Sequence, residues 1–196
     1  NSSSLNVTSV TPAVGGADVV GVTAGGAGSS VGLTSTGGSI TVTQNVTANG
    51  VGSVVSLNAP GGSLLESGSG RVVATSATLQ ANSGIGSSGT PFQTTVGTLA
   101  ASTGNGGIFI TNDQALIVGS VAPAMGGANL VGVTAGGVSA NVELTTTVGN
   151  LTLNSAVTAL GDIVCLDAAA AILSTSGAGA DVIASQAALT GATGVG

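Results

Sequence analysis

Short runs of Val, Ile, Leu and Thr recur along the chain, and Gly, Asn, Ser or Pro bounds each run. Runs beginning at Ile40, Val55, Leu151 and Val164 each have one aliphatic face and one polar face. This period of two residues is typical of a half-buried β-strand. Helices are disfavoured because Gly recurs often and β-branched residues dominate. We therefore expect an all-β protein.

A long internal repeat organises these runs. Residues 9–26 and 120–137 are identical at 14 of 18 positions with an offset of 111 residues, and the two copies extend over about 9–110 and 120–196. Within them, groups of strands begin about every 22 residues, at Asp18, Ile40, Leu64, Ile85, Ile108, Asn129, Leu151, Ile172 and Val195. Five such units account for one copy of the repeat.

A unit of this length cannot bury its aliphatic face alone, whereas stacked units form a continuous core. The spacing therefore predicts a parallel β-helix, or β-solenoid, of roughly nine rungs with about 22 residues in each. At about 4.8 Å per rung the rod would be roughly 43 Å long. Residues 1–196 would form one continuous segment, in which the 9–26 patch and its twin are one rung seen twice.

Composition restricts the class of protein further. The chain has 42% hydrophobic residues but only two Phe and no Trp or Tyr, so we expect a thin core of Val, Ile, Leu and Ala rather than disorder. Seven acidic residues against Arg71 alone give a formal charge of −6, which disfavours nucleic-acid binding. The chain has no run of 18 apolar residues to span a bilayer. Because it begins and ends inside its own repeat, without a signal-peptide pattern at Asn1, we expect a fragment of a longer repeat protein.

Several rung openings carry a resemblance to a known class of proteins. They read GSITVT at residues 38–43 and GNLTLN at 149–154, and a related passage has IGSSGTPF at 85–92 followed by GIFITN at 107–112. In these motifs the chain resembles the β-helical repeat regions of filamentous haemagglutinin-like exoproteins and autotransporter passenger domains of bacteria. The resemblance covers essentially the whole chain. It implies a right-handed parallel β-helix and a surface-exposed or secreted fibre, often adhesive.

The candidate catalytic groups are few. Polysaccharide cleavage on a β-helix needs clustered carboxylates, usually with a basic residue or a cation. Asp162 and Asp167 are five residues apart, which places them on opposite faces of an unbroken strand. The chain has no His and no Lys, so we predict no enzymatic activity, no catalytic residue and no cofactor.

Three single residues are candidate sites of other kinds. Gly15-Gly16-Ala17-Asp18 is a fragment of the calcium-binding β-roll pattern, and the open alternatives at Asp18 are a weak Ca²⁺ site and a turn cap. Cys165 stands where the first copy has Ser56 and is either a small, partly covered outward residue or an interchain thiol. Phe109 points outward as a contact residue if the alternation holds, or fills the core if the flanking isoleucines face out.

The leading functional hypothesis is a non-enzymatic rod segment of a bacterial extracellular fibre or exported adhesin. Its partners would be further repeats of the chain or a second copy stacked end to end, because terminal rungs expose unpaired strand edges. The alternative is a binding module that uses outward Thr and Asn ladders for glycan or ice. Thr41-Val42-Thr43 fits an ice-binding strand, but 145–147 and 152–154 keep no common register with it.

Overall fold

The computed structural model describes residues 1–10, 18–175, 177, 179 and 181–196. Within these ranges the chain has no helix, and hence none long and apolar enough to cross a membrane. The described strands are β1 Leu5–Val7, β2 Ser9–Val10, β3 Val19–Val20, β4 Val22–Ala24, β5 Ser30–Thr34, β6 Ile40–Val42, β7 Val46–Ala48, β8 Val54–Ala59, β9 Ser63–Glu66, β10 Val72–Ala81, β11 Gly84–Ile85, β12 Phe92–Thr103, β13 Ile108–Asn112, β14 Leu116–Val118, β15 Ser120–Val121, β16 Leu130–Val131, β17 Val133–Ala135, β18 Val142–Thr146, β19 Leu151–Leu153, β20 Val157–Ala168, β21 Ala171–Ser174, β22 Val182–Gly191 and β23 Gly194–Val195.

One column of parallel pairings runs the length of the molecule and defines its turns. The column joins Leu5, Ile40, Leu64, Ile85, Ile108, Val142, Val164 and Ala187. Its successive steps are 35, 24, 21, 23, 34, 22 and 23 residues, which are the differences between those residue numbers. The predicted all-β class and parallel β-solenoid are therefore confirmed, with about seven turns and a usual spacing near 23 residues.

The expected nine rungs are too many. Two of the nine residues at which groups of strands were expected to begin, Asp18 and Asn129, lie outside the coil. Strands β15 and β16 pair antiparallel, and so do β2 and β3. Neither pair joins the large parallel sheet. We call β2–β3 the first hairpin and β15–β16 the second hairpin. Each hairpin lengthens one turn to 34 or 35 residues, so the patch at 9–26 and its twin is not simply one rung seen twice.

Three columns of strands build the wall of the coil, and they exchange partners once along its length. In the first copy the columns are β1–β6–β9–β11, β4–β7–β10 and β5–β8–β10, where β10 and β12 are long enough to serve two columns each. Two columns merge on β13, which pairs with both β11 and the start of β12. The third divides, because the end of β12 pairs with both β14 and β17. The second hairpin leaves the coil at this division.

The core is the thin aliphatic column that the sequence predicts. Val55, Leu57, Val164 and Leu166 are buried, as their alternation requires. Most other buried side chains are Val, Ile, Leu and Ala, and Phe92 is the largest of those that are fully buried. Because each turn contributes only a few medium-sized side chains, stability rests on the stacking of each turn on its neighbours.

A buried amide stands where the two columns merge. The Asn112 side chain is fully buried, and its Oδ1 accepts hydrogen bonds from the backbone N–H of Val96 (2.9 Å) and from Thr94 Oγ1 (2.8 Å). Its Nδ2 donates to the carbonyl oxygens of Val96 (3.1 Å) and Gln114 (2.8 Å). The amide therefore replaces a strand pairing that ends at this point and satisfies backbone groups that water cannot reach.

Candidate functional site

The single arginine belongs to a small polar cluster on the outside of the coil. Arg71 forms an ion pair with Asp113 Oδ2, and both side chains are about one third exposed. Arg71 also donates to Thr95 Oγ1 at 3.3 Å. Glu66 Oε2 accepts the backbone N–H of Gln93 at 2.6 Å. These contacts link three successive turns, because Arg71 and Asp113 are two rungs apart, and they engage both carboxylates in contacts within the protein.

Burial raises the pKa of the Glu66 carboxyl above its usual value, and the hydrogen bond from Gln93 and the charge of Arg71 oppose this shift. The folded state therefore holds a proton on Glu66 more tightly than the unfolded state does. Stability from this residue is present below the usual Glu pKa and is lost as the pH rises through the raised value.

We expect Glu66→Gln to reduce the pH dependence of stability in that window. Wild type should gain stability relative to the variant as the pH falls from neutral towards the usual Glu pKa, because protonation removes the cost of a partly buried charge. Urea midpoints of both proteins, measured across this pH range, give the comparison. A difference that stays constant, or that changes in the opposite direction, would contradict the assignment.

Of the remaining acidic residues that the structure describes, Glu143 and Asp167 line one open groove beside Cys165. Asp162 Oδ2 accepts the backbone N–H of Ala140 at 2.9 Å, while Asp167 is exposed. Asp18 is exposed, and residues 15–17 of its predicted calcium motif lie outside the described part of the chain. Among the described residues, no three His, Cys, Asp or Glu side chains are grouped closely enough to hold a metal ion.

Phe109 and Cys165 both point away from the core. Ile108 and Ile110 are buried while Phe109 is half-buried, so the alternation places the ring outside, against Gly107. Cys165 is a free, half-buried thiol between the inward Val164 and Leu166. Their roles as a contact residue and as an interchain thiol remain predictions.

A surface depression of about 390 Å³ lies beside strands β10 and β12. It is lined by small and neutral side chains, among them Asn49, Ser53, Thr75, Thr95 and Gln114. None of its lining residues is titratable, so this depression offers no acid, base or charged nucleophile for catalysis.

The second hairpin lies back along the outer face of the coil. It covers an outward column of small residues, Gly32, Ser56, Thr78 and Ala100, which pair in register on β5, β8, β10 and β12. Ser56 and Thr78 are only 1% exposed, although they point away from the core. The backbone N–H of Ala124 donates to Ser56 Oγ at 2.7 Å, and a Cβ on Gly32 would lie 2.4 Å from Met125 Cγ.

The alternation of residues along the strands does not reveal this covered surface. The passage PAMGG at residues 123–127 lies between two short apolar pairs, and this pattern is typical of a turn flanked by strands. The covered residues are small because the hairpin backbone approaches the sheet closely. Side chains in an exposed outward column are not limited in size in this way.

Both ends of the coil have strands that pair on one side only. Among the described strands, β1, β4 and β5 pair only with β6, β7 and β8. At the other end, β22 and β23 pair only with β20 and β21. Leu189 and Val195 in these last strands are 39% and 51% exposed. An edge of this kind is a template for pairing with another strand.

Comparison of the sequence with protein-family models and curated proteins, and of the structure with solved structures, gave no match.

Proposed function

We propose that this chain is a non-enzymatic rod segment of a bacterial extracellular fibre or exported adhesin. The observation that carries the proposal is the continuous parallel stacking of the turns, whose first and last described strands pair on one side only. A coil of identical geometry, supplied by further repeats or by a second copy, would pair these edges and cover the apolar side chains of the last turn.

The character of the surface supports a structural role over a ligand-binding one. An ice-binding face needs neighbouring threonine columns in nearly every rung, yet the column Thr111–Thr145–Asp167–Thr190 is interrupted by a carboxylate. The column that contains Thr134 and Thr158 ends at Ile183. These ladders are single and short, so the alternative of an ice-binding module has little support.

Sedimentation velocity over a wide range of concentration, together with electron microscopy, tests the proposal. We expect linear particles whose length grows with concentration, because each added copy pairs an exposed edge. Hydrogen exchange at β5 and β22 should slow on assembly, since their free backbone groups become paired. A monomer at every concentration whose terminal strands are already protected would contradict the proposal.

A further inference from the structure

The corner of the coil between β7 and β8 carries an Asn-Gly pair, Asn49-Gly50, and the chain has a second such pair at Asn105-Gly106. In this dipeptide the side-chain amide carbon lies within reach of the following backbone nitrogen, and glycine has no Cβ to obstruct the approach. Attack by that nitrogen closes a cyclic imide within the chain. The two pairs have the same chemistry, so a difference in their reactivity must come from their surroundings.

The reacting groups of the first pair are unengaged. Asn49 is exposed, and its side-chain amide makes no hydrogen bond with any residue that the structure describes. The backbone N–H of Gly50 likewise donates to no residue in the described ranges. Neither the attacking nitrogen nor the amide therefore has to give up such a hydrogen bond before the two groups react.

The backbone on both sides of these groups is fixed. The N–H of Asn49 donates to the carbonyl of Ala24 at 2.9 Å, and the carbonyl of Gly50 accepts a hydrogen bond from Thr75 Oγ1 at 3.1 Å. Gly50 itself has a φ of +91°, a conformation that favours glycine. The corner thus holds the reacting peptide in one place while the side chain of Asn49 stays free to turn towards it.

A hydroxyl group lies on the carbonyl of the reacting peptide. Ser29 Oγ is 2.6 Å from the carbonyl oxygen of Asn49 and 3.2 Å from that of Ala24. A serine hydroxyl has one proton, and the shorter contact identifies Asn49 as its acceptor. When the Gly50 nitrogen loses its proton, peptide resonance spreads the negative charge onto this same oxygen. A donor already placed there stabilises the charge as it develops.

The second pair is held differently. Asn105 Nδ2 donates to Asn82 Oδ1 at 3.1 Å, and the backbone N–H of Asn105 donates to the carbonyl of Asn82 at 2.6 Å. The carbonyl oxygen of Asn105 accepts no hydrogen bond from the residues that the structure describes. Its side chain must leave Asn82 before it can react, and it lacks the donor that Ser29 supplies to the first pair.

We propose that Asn49 is a self-modifying site, at which the chain converts its own side-chain amide to a carboxylate. The Gly50 nitrogen gives its proton to the solvent and forms a bond to Asn49 Cγ. The bond from Cγ to Nδ2 breaks, and Nδ2 takes up a proton and leaves as ammonia. A water molecule then opens the imide at either of its carbonyls, which yields aspartate or isoaspartate. The net reaction consumes water and needs no cofactor.

The product changes the surface depression beside β10 and β12. Asn49 is one of its lining residues, and none of those residues is titratable before the reaction. Conversion therefore adds a negative charge to a neutral depression, which then favours cationic over neutral ligands. The second copy of the repeat cannot follow, because Leu160-Gly161 stands where the first copy has Asn49-Gly50. The modification thus makes the two copies chemically distinct.

Peptide mass spectrometry of the folded protein, sampled during incubation at neutral pH, tests the proposal. We expect Asn49 to convert at least ~10-fold faster than Asn105 in the same molecules. Asn105 also reports unfolding, because an unfolded chain exposes both pairs alike. Equal rates at the two pairs, or a faster reaction at Asn105, would overturn the proposal. Asn49→Gln is the matched control, since its longer side chain closes a larger and slower-forming ring. A mass gain that persists in this peptide would show that another residue reacts.

Ser29→Ala tests the role of the hydroxyl, and Ser29→Thr, which retains it, is the control. Loss of the donor should slow the conversion of Asn49 by ~5-fold, and Ser29→Thr should restore the rate. If Ser29 only held the corner together, its loss would loosen the turn and speed the conversion. An unchanged or faster conversion in Ser29→Ala would therefore overturn the assignment of Ser29.

Discussion

The Asn112→Ala variant is expected to unfold at a lower urea concentration than wild type, with a loss of about 3 to 4 kcal/mol in the free energy of unfolding. The amide makes four hydrogen bonds in a fully buried position. Alanine removes all of them and leaves the N–H and the carbonyl of Val96 without these partners. An unpaired buried group costs more than the hydrogen bond itself contributes.

Asn58→Ala is the matched control for this substitution. Asn58 also lies on a strand of the coil, but its side chain is half-buried on the outer face. We expect this variant to stay within about 0.5 kcal/mol of wild type. Equal losses in the two variants would contradict the role assigned to Asn112. A two-step transition in Asn112→Ala would show that the two copies of the repeat unfold separately when the merge point is weakened.

The Gly132→Ala variant is expected to lose about 3 kcal/mol of stability, because two penalties combine at one position. Gly132 has a φ of +70°, which disfavours any residue with a Cβ. A Cβ there would also lie 2.4 Å from the carbonyl oxygen of Ala156, which accepts the N–H of Val133. Neither that carbonyl nor the strand that carries it can move without breaking the pairing of β17 with β20.

Gly126→Ala separates the two penalties. Gly126 has a similar φ of +80° in the same hairpin, but a Cβ added there meets nothing within 4 Å. Only the conformational cost of about 1 kcal/mol is expected for this variant, as judged by thermal and urea unfolding. If the two alanine variants lose the same amount of stability, the hairpin base does not approach the coil as closely as described.

The regular part of the fold was predictable because each of its strands obeys a local rule. Runs such as Val55–Ser56–Leu57 and Val164–Cys165–Leu166 alternate strictly, and a period of two fixes which side chains enter the core. The parallel stacking followed from the repeat, since units of similar length and similar pattern can share one core.

The hairpins were not predicted because they satisfy the same local rule in a different pairing. The residues of these hairpin strands suit the coil as well as they suit an antiparallel pair: Val19, Val20, Leu130 and Val131. Dividing the 111-residue repeat into five equal units therefore places them in rungs of the coil. What separates the two alternatives is long-range geometry: the base at Gly132 and the small residues that make room for the hairpin on the outer face. The passage PAMGG indicates a turn between two short strands, but it does not show that this hairpin leaves the coil or which face it covers.

The sequence marks the position of the buried amide of Asn112. In the run from Ile108 to Asn112, the alternation that buries Ile108 and Ile110 also places the amide on the aliphatic face. A polar residue at an inward position requires nearby partners. Those partners come from Val96 and Gln114, so the sequence could indicate that something unusual occurs at Asn112 without showing what it binds.

The exchange of strand columns near β12 and β13 turns the second copy of the repeat relative to the first. Gly32 and Ser56 lie on the third column of the first copy, whereas their repeat counterparts Glu143 and Cys165 lie on the column that begins at Leu5. A side chain repeated at an offset of about 110 residues therefore appears on two different flanks of the rod and not in one line along it.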